Sequence, residues 1–190
     1  MRASALAITG MGVVSAAGTD AETTLSRFRQ PPAPPTDAVT AGLSRSITAP
    51  VFALSQILPG QADEAETSRT IRLALVAAAA ALRQAGLDHT PAALARCGVC
   101  LGTTVACQLN DLPFYREFRE RGQPSLTPAT RFLSGNLAAT VATRLGCSGP
   151  CLTVANACSS GADALGVAAA WLRCGLCDLV LAGGADELNL

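Results

Sequence analysis

Short apolar runs and longer amphipathic segments alternate along most of this chain. The apolar runs predict strands over residues 97–103, 153–155 and 178–182. The segments between them end in capping residues and predict helices over residues 20–30, 67–86, 134–145 and 161–173. Thr19 or Asp20 would cap the first of these helices, and Thr67 or Ser68 the second. Strands separated by helices of ten or more residues predict a right-handed, mostly parallel, layered α/β fold.

Two segments interrupt this alternation. A proline cluster at residues 31–35 ends the first helix and opens an irregular surface excursion that runs to about Pro50. Residues 104–133 mix charged and apolar positions, and residues 111–121 within them predict an amphipathic helix inserted before Pro124. We interpret both segments as parts of one domain that covers residues 1–190.

Composition favours a compact α/β unit without a polyanionic partner. Hydrophobic residues make up 49% of the chain and charged residues 15%, which is enough for a substantial core. Aromatic residues are only 4%, so Ala, Val and Leu must fill that core. Fourteen basic residues, all arginine, balance fourteen acidic ones, and this balance gives no field that would favour nucleic acid or an anionic membrane.

The amino terminus superficially resembles a signal peptide, because an apolar stretch follows Arg2 and small residues occupy positions 15–17. Gly10 and Gly12 interrupt that stretch and weaken the interpretation. No apolar run approaches the roughly 20 residues that a membrane span requires. We therefore expect a cytoplasmic protein with no membrane span.

Eight cysteines raise the question of zinc and disulfides. Cys97 and Cys100, like Cys174 and Cys177, have the spacing of half a zinc site. The first pair lies on a predicted strand, where residues three apart point to opposite faces. We expect buried small hydrophobic side chains here and no metal site, and nothing in the sequence indicates the oxidising compartment that disulfides require.

One cysteine has a context that favours reactivity. Cys158 follows the predicted strand at 153–155 and precedes the Ala-rich helix at 161–173, so it lies in a strand-to-helix turn. There, unpaired backbone N–H groups and the positive end of the helix dipole would stabilise the thiolate. The small residues at 157 and 159–161 leave room for a substrate carbonyl. Cys158 is therefore our candidate nucleophile.

The same region resembles the elongating β-ketoacyl-ACP synthases. The resemblance rests on the order and spacing of Gly149-Pro150, the strand, Ala157-Cys158-Ser159-Ser160-Gly161, and Leu181-Ala182-Gly183-Gly184-Ala185. Cys97-Gly98-Val99-Cys100-Leu101-Gly102-Thr103 resembles the middle strand of that family, and Ile8-Thr9-Gly10-Met11-Gly12-Val13-Val14-Ser15 with Gly18 resembles its opening strand and glycine turn. Asn156 departs from the Thr or Asp often found two residues before the cysteine, which bears on substrate preference.

The resemblance implies the amino-terminal half of a thiolase-like, five-layer fold. In that family the first half supplies the cysteine, and the second supplies two histidines, a lysine and a glycine-rich loop. This chain has no lysine, and its one histidine, His89, lies in a turn that matches neither catalytic position. By resemblance, Cys158 would take an acyl group from a carrier-protein thioester, with its own backbone N–H facing the oxyanion.

In a complete enzyme of this family, decarboxylative condensation with malonyl-ACP would follow, in fatty acid or polyketide biosynthesis. No cofactor is expected, because the carrier protein brings the phosphopantetheine. The implied partners are an acyl carrier protein and a second synthase subunit, either an identical copy or a related chain, that pairs along residues 152–157. The alternative function is that of a catalytically incomplete fragment or partner module, which needs a separate histidine-bearing half.

The remaining candidate site residues each have a structural alternative. Val105 and Phe132 could line an alkyl pocket or simply belong to the core. Gly183 and Gly184 would let the backbone pass close to a substrate or to a neighbouring segment. Arg69 and Arg72 could contact an acidic carrier protein or form a solvated helix face.

Overall fold

The structure is a computed structural model that describes residues 5–39, 48–54, 67–88, 90–104, 112–126 and 136–187. Its helices are α1 (Ala21–Phe28), α2 (Arg69–Gln84), α3 (Pro91–Leu94), α4 (Leu112–Arg121), α5 (Leu137–Leu145) and α6 (Ser160–Arg173). Its strands are β1 (Thr36–Val39), β2 (Thr48–Val51), β3 (Cys97–Gly102), β4 (Cys151–Val154) and β5 (Leu179–Gly184). A 3-10 turn, Ala157–Ser159, joins the region of β4 to α6.

A parallel sheet in the order β4-β3-β5 forms the centre of the fold. β3 is buried along its whole length between the other two strands. α2 and α5 contact each other, and α5 also packs on β3 and β4, whereas α6 packs on all three strands. The predicted parallel α/β arrangement is confirmed.

The two faces of β3 explain how helices cover both sides of the sheet. Cys97, Val99 and Leu101 belong to the main hydrophobic cluster, together with residues of α2 and α5. Because side chains alternate along a strand, the residues between them point toward α6. Two of these are glycines, and a Cβ on Gly98 would lie 3.2 Å from the ring of Trp171 in α6. Small residues on this face therefore let α6 approach the sheet closely.

The helix ends lie close to the predicted positions because local capping chemistry sets them. Asp20 caps α1 by accepting a hydrogen bond from the Thr23 N–H at 2.7 Å, and Ser68 caps α2. Gly146 ends α5 in a left-handed conformation with φ of 75°. The predicted start of α5 at residue 134 is wrong: Asn136 has a non-helical backbone and its side chain accepts from the Ala139 N–H at 3.1 Å, so the helix begins at Leu137.

The predicted first strand is wrong for the described residues. Positions 5–14 form no strand, and the neighbouring Ser15 and Gly18 make a single isolated bridge. The segment lies against α2 instead: the Met11 N–H donates to the Gln84 side chain at 2.5 Å, and a methyl group on Gly12 would overlap the Ala77 carbonyl. The glycines thus allow this segment to lie close to α2. It makes this contact instead of pairing with a strand of the described sheet.

The two predicted interruptions contain regular structure. The excursion at 31–50 is not wholly irregular, because β1 and β2 pair antiparallel with Thr36 opposite Val51. The expected amphipathic helix is present as α4, where Tyr115 and Phe118 are exposed. None of the helices in the described ranges is both long enough and apolar enough to cross a membrane.

A cavity of about 740 Å³ lies alongside β5, the strand at one edge of the described sheet. Residues 5–13, the alanine face of α2, part of α6 and residues 178–184 line it, and the lining is mainly apolar. Ile8, on the wall opposite the sheet, is 83% exposed. The edge of β5 thus faces an open, apolar groove.

Candidate active site

Cys158 lies where the sequence predicts, in the turn between a strand and a helix. β4 ends at Val154, the 3-10 turn contains Cys158, and α6 begins at Ser160. The Cys158 side chain is exposed. The first N–H groups of a helix have no acceptor within the helix, and Cys158 lies just before those of α6. The turn presents an accessible thiol beside the positive end of a 14-residue helix.

The residue before Cys158 has an unusual backbone conformation. Ala157 has φ of 51°, the one positive φ among non-glycine residues in the described part of the chain. A left-handed conformation costs an L-residue about 1–2 kcal/mol because its Cβ approaches the following carbonyl. The Ser160 hydroxyl donates to the Ala157 carbonyl at 2.8 Å and helps to hold the turn. This tight turn lies between the end of β4 and the start of α6.

Replacing Ala157 with glycine should raise the free energy of unfolding by about 0.5 kcal/mol, because relief of the left-handed strain exceeds the added entropy of the unfolded chain. Ala155→Gly is the matched control: Ala155 is also exposed but has no positive φ, so this change should lower stability by a similar amount. Urea denaturation of both variants would measure the two effects. Equal destabilisation by both would contradict the assignment of strain to Ala157.

Asn156 fastens the turn to the first turns of α6. Its side-chain amide donates to the Ser159 hydroxyl at 3.1 Å and to the Asp163 carboxylate at 2.7 Å. The Ser159 hydroxyl lies 3.0 Å from the same carboxylate oxygen and donates to it. These hydrogen bonds, first from Asn156 and then from Ser159, hold the pKa of Asp163 below its ordinary value. Asn156, singled out in the sequence for its bearing on substrate preference, therefore has a local structural role.

Gly102 and Gly184 let the amino end of α6 rest on the sheet. A methyl group on Gly102 would overlap the carbonyl of Ser160 and would lie 2.5 Å from the nitrogen of Gly161. A Cβ on Gly184 would lie 3.3 Å from the Cα of Gly161. The ends of β3 and β5 thus form a floor under residues 160–161, two to three positions after Cys158. At Gly102 only a residue without a side chain fits this contact, whereas the approach at Gly184 is tight but less restrictive.

The structure separates the two glycines that the sequence grouped together. Gly184 is part of the floor, whereas a Cβ on Gly183 would meet nothing within 4 Å. Both line the cavity beside β5. Close approach to a neighbouring segment therefore accounts for Gly184, and contact of either glycine with a substrate stays a prediction.

The other candidate residues are only partly described. Val105, Phe132 and His89 lie outside the described residues. Arg69 is exposed at the start of α2, and Arg72 is half-buried one turn later. A role for either arginine in docking a carrier protein stays a prediction.

A polar cluster that sequence reasoning missed ties two strand ends together near the cysteine turn. Asp186 accepts hydrogen bonds from the Thr103 hydroxyl at 2.8 Å, the Thr104 N–H at 2.9 Å and the Thr104 hydroxyl at 2.8 Å. Thr103 is fully buried. The available signal was positional: these residues lie at or just beyond the ends of two predicted parallel strands, and the carboxyl ends of parallel strands meet at one edge.

Cys97, Cys100, Cys147 and Cys177 are buried, whereas Cys158 is exposed. A hydrogen bond to Cys147, together with burial, raises the pKa of Cys97. Burial likewise raises the pKa values of Cys100 and Cys177, so these thiols stay neutral. Across the described ranges, no group of three or more His, Cys, Asp or Glu side chains is arranged to hold a metal ion.

Known proteins share both the sequence pattern and the fold. The family described as "Beta-ketoacyl synthase, N-terminal domain" matches residues 37–189. "Putative polyketide beta-ketoacyl synthase 1" from Streptomyces halstedii is 38% identical over 129 residues, covering 63% of this chain and 30% of that protein. Nodulation protein E from Rhizobium meliloti is 28% identical over 183 residues, covering 94% of this chain and 46% of that protein.

A solved structure titled "The ishigamide ketosynthase/chain length factor" superposes with a TM-score of 0.79 at 26% identity, covering 96% of this chain and 47% of that one. The chain thus spans less than half the length of each of these relatives. Its parallel α/β arrangement is the amino-terminal half of the thiolase-like synthase fold that the resemblance implied. With most of its length matched by the family, this chain belongs to the beta-ketoacyl synthases.

Proposed function

We propose that this chain is the nucleophile-bearing half of a condensing enzyme and that Cys158 accepts an acyl group from a carrier-protein thioester. The observation that carries the proposal is the exposed Cys158 in a tight turn directly before α6. The turn is fixed by the Asn156 hydrogen bonds and by the glycine floor. A pre-positioned nucleophile needs this kind of support, because small displacements cost large factors in rate.

The acyl transfer needs only groups that the turn provides. The Cys158 thiolate attacks the thioester carbonyl, and the negative charge that develops on oxygen is stabilised by the Cys158 N–H and the end of the helix dipole. When the tetrahedral intermediate collapses, the pantetheine thiolate leaves and takes up a proton, and the acyl group remains on Cys158. The proposed reaction requires no cofactor, since the pantetheine arm arrives with the substrate.

Decarboxylation and condensation require more than this chain supplies. An enolate needs hydrogen-bond donors, and the sequence contains one histidine and no lysine. We therefore propose that a complementary half brings the histidines. The apolar groove beside β5 supports this, because it has a volume of about 740 Å³ and borders an edge strand of the described sheet, and such a surface is suited to being covered by more protein.

The proposed setting is polyketide synthesis in the cytoplasm, with an acyl carrier protein as donor. Relatives named for polyketide synthesis favour this pathway over fatty acid synthesis. A second synthase subunit, either an identical copy or one related to the chain length factor of the ishigamide protein, is the proposed assembly partner. β4 is suited to such pairing, because it forms an edge of the described sheet and Cys151 and Leu152 on it are exposed.

The test is intact-protein mass spectrometry after incubation with a medium-chain acyl-carrier-protein thioester. We expect one acyl adduct on the wild-type chain and none on Cys158→Ala. Cys174→Ala is the matched control, because Cys174 is also exposed but follows the far end of α6, and it should be acylated like wild type. An adduct that persists in Cys158→Ala, or its absence from folded wild-type chain, would contradict the proposal.

A further inference from the structure

We propose that Asp186 is a positioning residue for Cys158: it locks the ends of β3 and β5 together beneath the turn that presents the thiol. This inference deepens the proposed function and rests on it for the reaction that is affected. The geometry behind it is independent of any substrate. The proposed effect of Asp186 is to hold the amino end of α6 in a fixed position on the sheet.

The lock consists of three hydrogen bonds that converge on one carboxylate. One oxygen of Asp186 accepts from the Thr103 hydroxyl at 2.8 Å and from the Thr104 N–H at 2.9 Å, and the other accepts from the Thr104 hydroxyl at 2.8 Å. Thr103 is fully buried, so its hydroxyl depends on this partner. An ionised carboxylate has enough lone pairs to accept all three.

The locked residues are direct neighbours of the floor. Gly102 immediately precedes Thr103, and Gly184 lies two residues before Asp186. Between these strand ends, the Ala185 N–H donates to the Gly102 carbonyl at 3.0 Å. One backbone hydrogen bond thus joins the ends of β3 and β5 beside the floor, and the Asp186 side chain adds further hydrogen bonds between the residues that follow these strands.

A second connection leads to β4, the strand that precedes the turn of Cys158. The Thr103 N–H donates to the Val154 carbonyl at 2.9 Å, at the last residue of β4. Asp186 therefore holds a residue that bonds β4 and adjoins the support for α6. If the lock opened, the turn could shift relative to the sheet, and the N–H groups around Cys158 would move with it. We expect docking of the carrier protein to be unaffected, because the shift is confined to the turn and its N–H groups.

The experiment compares Asp186→Leu, Asp186→Asn and the control Asp178→Leu in single-turnover acylation by the acyl-carrier-protein thioester. Asp178 is an exposed aspartate next to the amino end of β5, where it pairs with Arg96, so the control makes the same change at the opposite end of the strand. We expect Asp186→Leu to lower the limiting acylation rate about tenfold, with the half-saturating thioester concentration unchanged within about twofold. Asp186→Asn retains acceptor and donor atoms for the threonines and should restore most of the rate.

Alkylation of Cys158 by iodoacetamide, followed by peptide mass spectrometry, separates this inference from the proposed function. It reports the placement of the thiol even if wild-type chain takes up no acyl group. We expect slower alkylation in Asp186→Leu and wild-type rates in Asp178→Leu and Asp186→Asn. If Asp186→Leu does not fold, Thr104→Val removes one exposed hydroxyl of the same lock and should show a smaller change in the same direction. Wild-type alkylation in folded Asp186→Leu or Thr104→Val, or equal loss in Asp178→Leu, would overturn the assignment.

Discussion

Gly102→Ala is expected to lower the free energy of unfolding by about 3 kcal/mol and to abolish acylation of Cys158. The added methyl group would overlap the carbonyl of Ser160 and lie 2.5 Å from the nitrogen of Gly161. Both are backbone atoms, so no side chain can rotate away. β3 is the central, fully buried strand and cannot shift without opening the sheet. The strain must therefore displace the amino end of α6, which carries the turn of Cys158.

Gly166→Ala makes the same change within α6 where the structure leaves room. A Cβ at Gly166 would meet nothing within 4 Å, and alanine is the better helix former by about 1 kcal/mol, so this variant should gain stability. Urea denaturation followed by circular dichroism gives the two stabilities, and intact mass gives the acylation. A Gly102→Ala protein with the wild-type midpoint and a normal acyl adduct would show that the floor does not position the turn.

Local signals in the sequence were enough to predict most helix ends. Asp20 and Ser68 cap their helices with side chains that reach residues only three positions away. Gly146 ends α5 because a left-handed residue is required at its own position. The exception, the start of α5, arose because the sequence offers Ser134 as a capping residue before Asn136, and two candidate caps so close together are hard to rank.

Predictions failed where an element depends on a distant partner. Residues 8–15 have strand-like composition, but a strand forms only when another strand pairs with it, and in the described structure this segment lies on α2. The opposite error occurred at residues 31–50, where prolines indicated an irregular path although Thr36 to Val39 pair with Thr48 to Val51. Pairing partners are not visible in a single segment.

For the site, too, local features could be predicted and contacts between distant residues could not. The position of Cys158 could be predicted because strand, turn and helix are consecutive in the sequence. The groups that hold the turn could not be predicted, since Thr103 and Asp186 are 83 residues apart and nothing local marks either as a partner of the other. Gly102 was visible as a glycine in a strand, but its contact with α6 depends on how the helix returns to the sheet. Family resemblance thus pointed to Cys158 as the candidate nucleophile, and the structure shows which residues hold its turn.

The Asn156 hydrogen bonds matter for a different reason than the floor. The floor supports the amino end of α6. Asn156, two positions before Cys158, instead makes hydrogen bonds to Ser159 and Asp163, which follow the cysteine. Side-chain hydrogen bonds therefore connect the residues before Cys158 with those after it. The same hydrogen bonds lower the pKa of Asp163, which means that they favour its charged form as the acceptor.

Asn156→Ala is expected to lower the acylation rate about tenfold, because a barrier change of roughly 1.4 kcal/mol follows from losing two hydrogen bonds, one of them to a charged group. The exposed position of Asn156 means that water can replace these bonds, so the free energy of unfolding should change by less than about 1 kcal/mol. Single-turnover acylation and urea denaturation measure the two quantities on the same protein.

Asn136→Ala provides the matched control because Asn136 is also an exposed asparagine before a helix. Its side chain accepts from the Ala139 N–H at 3.1 Å and from the Thr153 hydroxyl at 2.8 Å, so its loss should cost about 1 kcal/mol of stability as an N-cap. It makes no contact with the cysteine turn among the described hydrogen bonds, so the acylation rate should stay within about twofold of wild type. If both variants lost rate in proportion to their loss of stability, Asn156 would be a general stabiliser of the fold. A rate loss confined to Asn156→Ala would mean that the hydrogen bonds across Cys158 act on the reaction itself.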